Sequence, residues 1–161
     1  MCAFAFFLAG CAGYHLGPVN GLAAGDKSIE VLPFNNQTLE PRLGEAVTES
    51  LRERLQVDGT YHLASGGDPD IVVSGVITGY SRQGLGFLNT DVSTVIDYRI
   101  GIVAHVIARD STGKILLDKK VNGFTLVRVG TDLADAERQS LPLLAEDLAQ
   151  NVAQLLTEGA W

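Results

Sequence analysis

Cysteine is almost missing from this chain: Cys2 and Cys11 are the only two in 161 residues. Both precede the patterned part of the sequence, so the folded body has no disulfide and must rest on its core alone. Basic residues are also few. Twelve Lys and Arg against nineteen Asp and Glu leave a formal charge of −7, which excludes general nucleic-acid binding, since that needs clustered Lys and Arg. An anionic ligand would have to find a local basic patch against the overall field. Of the three histidines, His15, His62 and His105, none has a second His, Cys or carboxylate at metal-ligand spacing. No Gly-x-Ser-x-Gly elbow occurs, and Gly84-Leu85-Gly86 lacks the following Lys of a phosphate loop. Asp68, Asp70, Asp110 and Asp118 are scattered and read as turn and surface residues. No catalytic set, metal or cofactor is expected, and a binding or scaffolding role is. The apolar run Ala3–Ala9 is too short to span a bilayer.

What is present fits one folded domain. Hydrophobic residues make up 46% and charged residues 19%, a balance that supports a core. Ser28–Phe34 reads as a first strand that ends at Pro33 or lies at an edge, because proline cannot donate to a ladder. After a polar turn, Pro41 suits the start of a helix. Leu43, Val47, Leu51 and Leu55 recur at helical spacing as far as Gly59. Tyr61–Leu63 is a short strand or a connector. Ile71–Tyr80 is a strand, and from Tyr98 to Ala108 apolar residues alternate in a third. Asp110–Gly113 is a hairpin turn, followed by a strand from Lys114 to about Val129. Asp132 can cap a final helix with a Leu-rich stripe. Pro142 either kinks that helix or divides it at Ser140. The order β-α-β-β-β-α predicts an α+β fold: a mostly antiparallel four-stranded sheet with two helices on one face.

Two features suggest binding. Gln83–Thr94 reads as a long loop carrying Leu85, Phe87 and Leu88, which either mark a partner surface or tuck back onto the sheet end. Arg82, Arg99, Lys119, Lys120 and Arg128 all fall on or beside adjacent strands. They are solvated edge charges, or an anion site for phosphate groups.

The N-terminus narrows the choice. Leu8-Ala9-Gly10-Cys11 ends a short apolar run in small residues, as secretory signals do, and resembles the cleavage site of a bacterial lipoprotein. Cys11 would then be the lipidated first residue. Residues 1–10 form the signal, 11–27 a Gly-rich tether and 28–158 the domain. Positions 1–10 hold no Lys or Arg, so the positive n-region of a signal is expected upstream of Met1. Ala12, rather than Asp, after the cysteine suits an outer-membrane destination.

Cys11-Ala12-Gly13-Tyr14-His15-Leu16, together with Asp97-Tyr98-Arg99-Ile100-Gly101-Ile102, resembles the lipopolysaccharide-assembly lipoprotein family LptE. The element order and the Leu-rich last helix are similar too. The resemblance implies a non-enzymatic protein, lipid-anchored on the periplasmic side of the outer membrane. It would plug and help assemble the LptD β-barrel in a 1:1 complex and assist lipopolysaccharide delivery to the outer leaflet. Val31-Leu32-Pro33-Phe34-Asn35-Asn36 also resembles the start of other envelope lipoproteins. That alternative implies a regulator of a peptidoglycan synthase or part of a secretion apparatus.

Overall fold

The computed structural model describes residues 25–88, 91–128 and 132–159. Cys11, the signal and nearly all of the tether lie outside them. The elements are β1 (Lys27–Val31), β2 (Asn35–Asn36), α1 (Leu43–Asp58), β3 (Tyr61–Leu63), β4 (Ile71–Leu88), β5 (Asp91–Asp110), β6 (Ile115–Arg128) and α2 (Leu133–Glu158). The fold is α+β, with both helices packed on one face of the sheet. The strand order is β3-β1-β4-β5-β6, with β2 also pairing β4.

The sheet is mixed and has six strands instead of the expected four. β1 runs parallel to both β3 and β4, and β2 runs parallel to β4. The cause is the helical crossover: α1 carries the chain back to the same end of the sheet before β3 begins, and parallel neighbours need such a return. β4, β5 and β6 form an antiparallel meander.

The apolar spacing gives a single core. Ile71, Val73 and Ile77 of β4 and Ile100, Ile102, Ala104, Val106 and Ala108 of β5 are buried against Leu43, Val47, Leu51 and Leu55 of α1. Leu144, Leu148, Val152 and Leu156 of α2 complete it. Two glycines set how closely the layers approach. A Cβ on Gly75 would stand 2.2 Å from the Phe34 ring, and one on Gly123 would stand 2.8 Å from the Leu148 backbone nitrogen. Thr48 ties α1 to the segment between β1 and β2: its Oγ1 accepts from Phe34 N at 2.9 Å and donates to Gly44 O at 2.6 Å.

Helix ends follow local chemistry. Asp132 caps α2, its carboxylate accepting from Ala134 N at 2.8 Å. Gly59 ends α1 in the left-handed conformation at φ 72°. Between these, α2 runs as one helix through Pro142.

The largest departure from expectation is Gln83–Thr94. β4 continues to Leu88 and β5 resumes at Asp91, so this stretch is the distal end of a hairpin and not a long loop. Its glycines coincide with bulges: the register shifts at Gly84/Gly86 and twice more before Leu88. Cross-strand partners outweigh the turn-forming tendency of the glycines.

Candidate functional site

One face of β4–β5–β6 lies under the helices and the other is open. Ladder partners point to the same side, so the pairs sort every side chain. A bulge at Thr78 decides the distal half. Ile77 pairs Ala104, and Gly79 pairs Val103, which leaves Thr78 unpaired and reverses the alternation beyond it. Tyr80 and Arg82, paired with Ile102 and Ile100, therefore face α2. Ser81 and Gln83, paired with Gly101 and Arg99, face the open side.

The open face carries a compact group. Arg99 and Leu126 are ladder partners, as are Gly101 and Phe124. The Arg99 guanidinium lies over the Phe124 ring, 4.0 Å from its centroid, where the ring quadrupole attracts a cation. Phe124 is 46% and Leu126 66% exposed. Arg99 and Phe124, with Gln83 and Asn122, border a shallow cleft of about 320 Å³. A second cleft of about 440 Å³, lined by Leu85, Asp97, Leu126 and Arg128, continues it toward the hairpin end. Here Arg128 grips Asp97 with two bonds, Nε to Oδ1 at 2.8 Å and Nη2 to Oδ2 at 3.2 Å. The Arg128 hydrogen bond holds the Asp97 carboxyl below its usual range. Gly86 makes room for the pair, since a Cβ there would sit 2.7 Å from an Asp97 oxygen.

The five expected basic residues do lie on adjacent strands but do not gather. Arg82 faces the helices and pairs with Glu137 of α2 at 3.1 Å. Lys119 pairs in register with buried Val106, on the helix side of an exposed strand end. Lys120, opposite His105, shares the open face with Arg99 but lies about 20 Å along it, six residues of strand. Arg128 is next to Arg99 and neutralised by Asp97. Among the described residues Arg99 is left as the distal cation of the open face with no carboxylate partner. Leu85 is half exposed beside this group. The side chains of Phe87 and Leu88 lie outside the described residues, though their backbone belongs to β4.

Sequence reading missed Phe124 and Leu126. Their alternation with Gly123, Thr125 and Val127 marks an apolar residue on the outward face, a signal visible in retrospect. No group of three or more His, Cys, Asp or Glu suited to a metal ion occurs among the described residues.

Comparison with known proteins gives the family and the fold. The family model for LptE, lipopolysaccharide-assembly, matches residues 27–156. The chain belongs to the LptE family. The match runs from the first strand almost to the end of α2. Curated proteins show no significant sequence match. Solved structures share the fold at low identity. A hypothetical protein from Chlamydia trachomatis is 10% identical with a TM-score of 0.60, over 86% of this chain and 98% of that one. A minor lipoprotein from Acinetobacter baumannii is 11% identical with a TM-score of 0.53, over 81% and 92%. Uncharacterized lipoprotein B from Nitrosomonas europaea is 10% identical with a TM-score of 0.53, over 91% and 88%. Membership in LptE assigns this chain to lipopolysaccharide assembly.

Proposed function

We propose that this protein is an outer-membrane lipoprotein, acylated at Cys11, that plugs an LptD-type β-barrel, helps it assemble and assists lipopolysaccharide delivery to the outer leaflet. It does so without catalysis. The observation that carries the reading is the LptE family match over residues 27–156. The lipid keeps the domain at its membrane: each buried methylene contributes roughly 0.8 kcal/mol, and more than one chain gives stable anchoring. The open face supports the reading chemically. Lipopolysaccharide presents phosphates beside acyl chains, and Arg99 stands over Phe124 next to exposed Leu126. A guanidinium is well suited to phosphate oxygens.

A tagged full-length chain purified from solubilised outer membranes should retain a large β-barrel protein in 1:1 ratio. Recovery of a peptidoglycan synthase in place of any barrel would sink the proposal. For the lipid contact, Arg99→Glu should weaken lipopolysaccharide binding at least about tenfold, the scale of one charged hydrogen bond lost and a repulsion gained. Lys119→Glu, on the other side of the sheet, should leave it nearly unchanged.

A further inference from the structure

The free edges of the sheet are not treated alike. On β1, past the end of its pairing with β3, Arg52 of α1 donates through Nη2 to Val31 O at 2.7 Å. At the β6 edge, Asp147 of α2 accepts from Phe124 N at 2.9 Å, and Asn151 donates to Asn122 O at 3.0 Å. Each contact occupies a backbone group that another strand could otherwise use, and native sheets block their edges in such ways. Charged Asp118, Lys119 and Lys120 guard the other end of β6. After Phe124 the protection stops. Residues 122 and 124 turn their backbone groups away from β5, so by alternation Leu126 and Arg128 do the same. Among the described residues the outward N–H and C=O of Leu126 have no partner.

Among the described residues the distal edge of β4 is also unpaired past Ile77, where Gln37 N makes the last bond. Bulges at Gly84 and Gly86 break its register and make it a poor template. β6 has no register shift over Asp97–Ala108 and their partners. Its uncapped end is regular, and it carries exposed Leu126.

We propose that Thr125–Arg128 is a strand-addition site, and that its occupant is an extended segment of the barrel partner bearing an acidic side chain between apolar ones. This rests on the barrel-plug reading above and gives that contact a specific place. The charge argument is Arg99. Its guanidinium lies over Phe124 of β6 with no carboxylate of its own among the described residues, and its five N–H donors can serve a carboxylate on the incoming strand as well as the lipid phosphate proposed above. The size argument excludes a second copy. Four residues of edge span about 13 Å, and the Asp147 and Asn151 caps prevent the pairing from extending. That area is far below the roughly 1,200 Å² of a stable dimer, whereas a segment held by a surrounding barrel needs only a short register-setting contact.

The test is backbone amide exchange of the purified barrel complex against the isolated chain. Leu126 is expected to exchange freely alone and to slow at least about tenfold in the complex, as one ordered backbone bond would require, while Phe124 stays protected in both. Leu126→Pro removes the outward N–H and leaves the β5 ladder intact, so it should weaken barrel retention while the circular dichroism stays native. A recovered complex in which Leu126 still exchanges freely overturns this proposal and leaves the barrel-plug reading standing. Protection of Leu126 in the isolated chain, with a dimer's mass, overturns it in favour of self-pairing. Failure to recover any barrel overturns the parent reading and this one with it.

Discussion

Arg42 shows how a single residue can carry strain. It precedes α1 at φ 63° and makes no side-chain cap, although the left-handed region is unfavourable for any residue with a Cβ. Arg42→Gly should therefore stabilise the fold by up to about 1 kcal/mol, net of the added freedom of the unfolded chain, measured by urea denaturation. Tyr80 is a second case. Its hydroxyl is buried without a hydrogen-bond partner among the described residues, and burial, aided by Glu137 and Glu40, pushes its pKa up to about 12. A raised folded-state value means that stability is complete below the unfolded value of about 10 and is lost as pH rises toward 12. Tyr80→Phe should remove that alkaline loss and change stability at neutral pH by less than about 1 kcal/mol. The carboxylates act in the opposite sense. Asp70, bound by Ser28 N, Asp97, bound by Arg128, and Asp110, bound by Thr112, all have lowered values. Their contribution is present above about pH 3.9 and fades as pH falls through the lowered values. Asp70→Asn should flatten the acid limb of a plot of urea midpoint against pH.

At the scale of elements, the helices are fitted to the sheet at Gly123. Gly123→Ala would drive a methyl group into the α2 backbone, with Leu148 N 2.8 Å and Cα 2.9 Å away. Neither atom is a flexible chain end, so a loss of at least about 2 kcal/mol is expected in thermal or urea unfolding. The edge caps make a different kind of prediction. Asp147→Ala with Asn151→Ala should cost only about 1–2 kcal/mol of stability but should increase concentration-dependent association, seen by light scattering, because the middle of β6 becomes a free template. Much at this level was legible in the sequence: the period of β5, the Asp132 cap, the Gly59 stop and the Asp110–Gly113 turn all follow from local chemistry. The distal hairpin was not. Gly84 and Gly86 read as breakers, and only the β5 partner strand, distant in register, shows that they are bulges.

For the molecule as a whole, the basic residues were visible in the sequence but their arrangement was not. The bulge at Thr78 sends Arg82 to Glu137 when simple alternation from Ile77 would have put it on the open face. Asp97 neutralises Arg128 across strands that lie 31 positions apart. What reads as a five-residue basic patch is, once folded, Arg99 with an aromatic and an aliphatic neighbour, and Lys120 well away from them. The family assignment rests on the folded body, while the proposed anchor at Cys11 rests on the N-terminal pattern. The most direct measurement is of lipopolysaccharide at the cell surface after depletion of this protein. The expected result is a fall in surface lipopolysaccharide together with loss of the correctly assembled barrel, both restored by the full-length chain. Normal surface lipopolysaccharide alongside altered glycan-strand synthesis would contradict the barrel-plug reading.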